Sequence, residues 1–172
     1  MEKFHIEGGI SLHGEVVPGG NKNSALPLLA ACLLTEEPVI LHNVPAIQDV
    51  HWMRELLQSL GVTIVETNKN SLTIQAKEIT PANLDPDICR RIRASILLAG
   101  PMTARSGELI LPPPGGDVIG RRRVDTHLLA LRKQRSHCRF LLTTKHPLMW
   151  EVHKQTSGSP IGTIQGSMPD FQ

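Results

Sequence analysis

The chain contains no tyrosine, and three Phe and two Trp bring its aromatic share to only 3%. Stacking platforms for single-stranded nucleic acid are therefore scarce. Cysteine is equally thin: Cys32, Cys89 and Cys138 are odd in number, widely spaced and never in a Cys-x-x-Cys pair. That excludes a disulfide framework and fits a reducing cytoplasm. His137, Cys138, His146 and His153 lack the spacings of a zinc site, so no metal is expected. Long apolar runs are missing as well. The longest, ALPLLAACLL, is broken by proline and falls far short of the roughly 20 residues a membrane helix needs, and MEKFHIEGG has no apolar signal core. Nor does one sign of charge dominate. A net charge of +2 supports no general field for nucleic acid or membrane, and local anion sites fit better. A soluble, cytoplasmic protein that binds neither nucleic acid nor membrane is expected.

What is present suits one globular domain: 172 residues, 40% of them hydrophobic. KFHIEG and SLHGEVV alternate like half-buried strands bounded by glycine. NKNSALPLLAACLL follows as a helix that Asn and Ser can cap. PVILHNV reads as a buried strand. IQDVHWMRELLQSLG reads as an amphipathic helix with Val50, Met53, Leu56, Leu57 and Leu60 on one face and Gly61 as its stop. VTIVE and SLTIQA flank the turn TNKN as a hairpin. One long helix is expected over DPDICRRIRASILLAGPMTA, with Asp85 as cap and Pro86 in its first turn. GELILP is a strand and RVDTHLLALRKQ a helix. Repeated strand and helix units make the fold class α+β. From about residue 133 no sustained periodicity of either kind is visible.

One pattern occurs twice. GEVVPGGNKNSALPLLA from Gly14 and GELILPPPGGDVIGRRRVDTHLLAL from Gly107 both run Gly-Glu, apolar strand, Pro-Gly-Gly, a cation and a leucine-rich helix. Each copy brings positive charge to a helix start, where free amides and the macrodipole already favour an anion. The competing account is a common turn used twice. In the first copy Lys22 and Asn23 are the candidates: a compact charge for phosphate or carboxylate beside a side chain that both donates and accepts. Arg90, Arg91 and Arg93 lie on the long helix, with 90 and 93 on one face and 91 turned away. Solvated helix arginines are often only solubilising. Arg121, Arg122 and Arg123 precede a helix start, where a cation is unfavourable unless an anion restores the balance. Asp125 in that first turn is favourable with or without a ligand. Asp117 follows Gly115 and Gly116, whose freedom suits a loop that opens and closes. To donate a proton near neutrality, Asp117 needs its pKa raised well above about 3.9, by desolvation or a neighbouring anion, while the arginines push the other way.

PGGNKNSALP, RIRASILLAGP and LPPPGGDVIGRRRVDTHL, in that order, resemble the enolpyruvyl transferase family, in its UDP-N-acetylglucosamine 1-carboxyvinyltransferase branch. The likeness is collinear over residues 1 to 132. The sister branch acting on 3-phosphoshikimate typically shows Gly-Ser-Lys-Ser where this chain has GGNKNS. The resemblance implies an EPSP synthase-like, inside-out α/β barrel fold built of βαβαββ repeats, here only partly present. It implies transfer of the enolpyruvyl group from phosphoenolpyruvate to the 3-hydroxyl of UDP-N-acetylglucosamine, with release of phosphate, in peptidoglycan synthesis. No metal or organic cofactor is implied. Carried over by motif, Asp117 falls at the general acid of a mobile loop. Lys22 and Asn23 fall at phosphoenolpyruvate contacts, Arg93 at a UDP-sugar contact, and Arg122, Arg123, Val124, Asp125 and Thr126 at the nucleotide-sugar segment.

Two departures follow. Many relatives carry cysteine at the Asp117 position, the residue alkylated by fosfomycin, and a carboxylate is a weaker nucleophile than a thiolate, so fosfomycin insensitivity is expected. Arg123 replaces a usual proline. Family members are also more than twice this length, with a second pseudo-symmetric domain across the active-site cleft. Residues 1–21 are then expected to be strands that pair with that distal domain, 22–132 a partial catalytic domain, and 133–172 a non-matching tail, frameshifted or disordered. Two readings besides the enzyme stay open: an inactive fragment that at most binds nucleotide-sugar or other anions, and an RNA-binding module using the arginine clusters.

Overall fold

The computed structural model describes residues 3–9, 11, 13–80, 84–116, 124–133, 136–141 and 149–154, with the backbone alone at Asp125, Arg132 and from Ser136 onward. The elements run α1 (Lys22–Ala31), a 3-10 turn (Cys32–Leu34), β1 (Val39–Leu41), α2 (Gln48–Ser59), β2 (Thr63–Asn68), β3 (Ser71–Gln75) and α3 (Pro86–Arg91). A second 3-10 turn (Arg93–Leu98), α4 (Ala99–Arg105), β4 (Glu108–Leu111), α5 (Asp125–Lys133), β5 (Ser136–Leu141) and β6 (Met149–Lys154) complete them. Two antiparallel sheets result, ordered β1-β3-β2 and β4-β6-β5.

The local reasons are those the sequence suggests. Asn21 stands before α1 in extended backbone, and its side-chain oxygen accepts the Asn23 amide at 2.7 Å. Pro27 lies inside α1. Having no N–H, it leaves the carbonyl of Asn23, four residues back, without its helical partner. Helix α2 buries Val50, Met53, Leu56 and Leu57, followed by Leu60, as its spacing requires. It ends in a Schellman motif: Gly61, at φ +92°, donates to Gln58 at 3.0 Å, and Val62 donates to Leu57 at 3.1 Å. Strands β2 and β3 form the expected hairpin, turning at Asn70 with φ 63°. Leu72 and Ile74 of β3 point into the core, each fully burying a side chain worth roughly 1.5–3 kcal/mol.

Four expectations need correction. KFHIEG and SLHGEVV are not strands: the described residues of 3–20 have no regular structure, and Phe4, Ile6, Val16 and Val17 are 82–95% exposed. A strand needs a partner for its backbone, and none lies beside them among the described residues. PVILHNV is not a buried strand. Only Val39–Leu41 pair, as a sheet edge, and Ile40 faces solvent. The segment after residue 133 contains β5 and β6, which extend β4 into a sheet; Cys138 stands opposite Val152 and Phe140 opposite Trp150 in the register. Those apolar residues two apart are a period of two, too brief within six-residue strands to stand out among the basic residues.

The long helix over residues 85–104 is the fourth. Asp85 caps α3 as expected, its carboxylate accepting the Asp87 amide at 2.7 Å, with Pro86 in the first turn. The helix then breaks at Ile92, whose backbone is extended at φ −127°, ψ 131°, and whose side chain is buried. The carbonyls of Cys89 and Arg90, which an unbroken helix would have given to Arg93 and Ala94, instead accept the amides of Gly115 at 3.0 Å and Gly116 at 2.9 Å. The Ser95 hydroxyl donates to the Ile92 carbonyl at 3.1 Å across the break. The Cys89 thiol is fully buried there, and burial first, then the Asp85 carboxylate, pushes its pKa from 9.0 up to about 12, against a hydrogen bond with Ser95.

Arg105, at the end of α4, joins segments distant in the chain. Its guanidinium donates to the carbonyls of Leu33 at 3.1 Å, Thr35 at 3.2 Å, Ala76 at 2.6 Å and Lys77 at 3.5 Å, and reaches the Glu36 carboxylate at 3.2 Å.

Four outcomes are expected. Arg105→Met removes the donor from four carbonyls and should lower unfolding stability by about 2–4 kcal/mol, read as an earlier urea midpoint; an unchanged midpoint refutes the clamp. Gly115→Ala drives a Cβ into the Arg90 carbonyl, so the Gly115 and Gly116 amides should exchange with solvent at least tenfold faster, read by NMR. Cys32 and Cys89 should resist thiol reagents until the chain is unfolded. Because Cys89 ionises more readily when unfolded, its contribution to stability is complete below pH 9 and is lost as pH rises from 9 toward 12; a flat alkaline stability profile contradicts this.

Candidate functional site

The starts of α1 and α2 lie side by side. Lys22, the first residue of α1, forms an ion pair with Asp49 in the first turn of α2, the lysine half-exposed and the aspartate 25% exposed. Two helix dipoles thus direct their positive ends at one place, already occupied by one cation and one carboxylate. Asn23 follows Lys22 on the exposed side of α1. The preceding loop is pressed close by Gly20, where any side chain would strike the Asn43 carbonyl and the Pro45 ring. Asn43 itself takes a left-handed φ of 57°.

One helical step along α2 from Asp49 is Trp52, on the same face, and the Arg91 guanidinium stacks 4.7 Å from the centre of its ring. Arg91 ends α3, and Arg93 opens the 3-10 turn just beyond the break. Contacts therefore run without a gap from Lys22 through Asp49, α2 and Trp52 to the end of α3. A Cβ on Gly116 would lie 3.2 Å from the Arg93 nitrogen and 3.4 Å from its Cβ, so the bend that leads to residue 117 lies directly against Arg93.

The break alters two expectations. Arg90 and Arg93 do not share a helical face, because α3 ends between them. Arg90 pairs with Asp87 at 3.2 Å, and Arg91, expected to turn away, is the one committed to Trp52. The glycine pair is not a free hinge either. Both amides are bonded and Gly115 is pressed on Arg90, so its missing Cβ serves close approach, and Gly116 at φ +96° makes the turn.

Val124 is buried, and its carbonyl accepts the amides of His127 at 3.0 Å and Leu128 at 3.3 Å, so it forms the start of α5 through its backbone. Asp125 occupies the first position of that helix and Thr126 is exposed. Asp117, Arg121, Arg122 and Arg123 lie outside the described residues. Cys89, its thiol held protonated by burial, is no nucleophile. Sequence reasoning passed over Asp49 and Trp52. The only local sign of Asp49 was an acid in the first turn of a helix, which is favourable for any helix. Among the described residues no three His, Cys, Asp or Glu side chains gather as a metal site, and no helix is long and apolar enough to cross a membrane.

Comparison with known proteins bears on this arrangement. Residues 6–156 match the family of EPSP synthase (3-phosphoshikimate 1-carboxyvinyltransferase), so the match includes β5 and β6. Over 131 residues, 76% of the chain, it is 60% identical to a UDP-N-acetylglucosamine 1-carboxyvinyltransferase of Bradyrhizobium diazoefficiens, and covers 30% of that protein. Over 131 residues it is 48% identical to the protein of the same name from Treponema denticola, covering 31% of it. The chain therefore spans less than a third of these curated relatives' length. Among solved structures it resembles the enolpyruvyl transferase NikO from Streptomyces tendae, with TM-score 0.63 and 24% identity over 86% of this chain and 31% of that one. It also resembles EPSP synthase from Acinetobacter baumannii, with TM-score 0.58 and 15% identity over 82% of this chain and 32% of that one. These likenesses give the EPSP synthase-like fold, present in part. With the family match extending over most of its residues, the chain belongs to the EPSP synthase family of enolpyruvyl transferases.

Proposed function

We propose that the protein of which this chain is part transfers the enolpyruvyl group from phosphoenolpyruvate to the 3-hydroxyl of UDP-N-acetylglucosamine, in the cytoplasm, for peptidoglycan assembly. The observation that carries this is the 60% identity over 131 residues with a relative named for that reaction. The cationic start of α1 and the placement of Gly116 against Arg93 support it. Addition joins the sugar hydroxyl oxygen to C2 of phosphoenolpyruvate while C3 takes a proton. Elimination then removes a proton from C3 and breaks the C2–O bond to phosphate, restoring the double bond.

Asp117 is the acid that protonates C3. Delivered from a bend rooted on α3, it needs a water-poor, anion-loaded site to hold its proton near neutrality. Lys22 meets phosphoenolpyruvate as a point charge and Asn23 as a donor beside it. Arg93 and the segment Arg122, Arg123, Val124, Asp125 and Thr126 hold the nucleotide-sugar. The backbone N–H of Val124 is the group through which that residue would make such a contact, since its side chain is buried and its carbonyl accepts the amides of His127 and Leu128. Residues 22–132 form the half-site, and residues 1–21, without a strand partner among the described residues and with Phe4, Ile6, Val16 and Val17 in solvent, become strands only against a neighbouring domain. No metal or organic cofactor takes part.

A polypeptide of these 172 residues should bind without turnover, which calorimetry and a phosphate-release assay separate. Binding of phosphoenolpyruvate should weaken about tenfold in Lys22→Ala, the loss of one charge-assisted contact. Equal affinity in the variant removes Lys22 from the site. Phosphate release by this chain overturns the division between half-site and complete enzyme.

A further inference from the structure

We propose that Asp49 is a positioning residue that holds the place of the substrate anion at Lys22, and that this carboxylate must give up its ion pair before the anion binds. The inference rests on the assignment of Lys22 to phosphoenolpyruvate and adds a residue that neither sequence motif nor resemblance supplied. Three observations carry it. The Lys22 ammonium is already paired with the Asp49 carboxylate in the ligand-free chain. Asp49 and Lys22 occupy the first turns of two adjacent helices, so their partial positive ends attract whichever anion is present. Lys22 remains half-exposed while Asp49 is only 25% exposed, so the face of the ammonium left open is one from which a ligand can approach.

The consequence is a competition between an internal and an external anion for one cation. With Asp49 in place, a flexible lysine is held in a single location rather than sampling solvent, and its charge is partly neutralised. A phosphate or carboxylate arriving at Lys22 gains the ammonium and both helix starts, but it also meets the negative charge of Asp49 a few ångströms away. At that separation, in a partly solvated site, one like charge is enough to change affinity by about three- to tenfold. Asp49 thus sets how loosely the anion is held, which favours release of the phosphate product as much as it opposes capture.

The test measures binding of phosphoenolpyruvate and of inorganic phosphate to the full chain by calorimetry, in low salt, for wild type, Asp49→Asn, Lys22→Ala and the double variant. Asp49→Asn should tighten both anions about three- to tenfold, and the gain should vanish in the Lys22→Ala background. A purely structural aspartate would not produce a gain of affinity that depends on Lys22. Weaker or unchanged binding in Asp49→Asn, with binding still sensitive to Lys22→Ala, overturns the inference and leaves the Lys22 assignment standing. Binding insensitive to Lys22→Ala overturns the assignment and the inference with it, as does absence of binding in both wild type and Asp49→Asn. Binding that emerges only in Asp49→Asn supports it. Should Asp49→Asn fail to fold, judged by its thermal transition, Asp49→Ser keeps an oxygen at the helix start without the charge and carries the same expectations.

Discussion

Two backbone carbonyls, those of Cys89 and Arg90, govern how the rest of the chain is gathered. Buried carbonyls left without donors are costly, each by about 1–3 kcal/mol. The extended backbone at Ile92 releases both from their helix, and the amides of Gly115 and Gly116 take them up. Only a residue without a side chain approaches the Arg90 carbonyl so closely. The same stitch turns the chain so that Gly116 lies against Arg93. A defect in one helix thereby fixes where a distant loop begins.

Cations among the described residues divide by what they touch. Arg105 spreads its donors over four carbonyls and a carboxylate and serves the fold. Arg90 is matched within its own helix and Arg91 by a tryptophan ring. Lys22 differs because its partner, Asp49, also sits at a helix start, where the macrodipole favours an anion. The repeated Pro-Gly-Gly pattern acquires a physical meaning from this. In each copy a glycine is pressed against a carbonyl, that of Asn43 for Gly20 and that of Arg90 for Gly115, and the loop is fixed immediately ahead of charged residues.

Much of the architecture was legible because it depends on neighbours a few residues apart. Caps at Asn21 and Asp85, the buried stripe and glycine stop of α2, and the hairpin at Asn70 all arise from local chemistry. Helical continuity through Ile92 was misjudged on the same grounds. Around Ile92 the local preferences of DPDICRRIRASILL favour a helix, and the competing donors come from residues 115 and 116. The opening segments alternate as strands do, yet alternation describes a face and not a partner. Conversely β5 and β6 show little pattern and are strands because β4 pairs with β6.

The sequence by itself determined the capped starts of α1 and α3, the glycine stop of α2, the family to which the three motifs point, and the residue types available to an anion site. Those are properties of covalent neighbours and of conformations that individual residues can adopt. Tertiary structure alone decided that Lys22 meets Asp49, that Trp52 receives Arg91, and that the glycine bend rests on α3. Each of these joins groups far apart along the chain, and their adjacency comes from which apolar faces pack together, a choice that no local preference encodes.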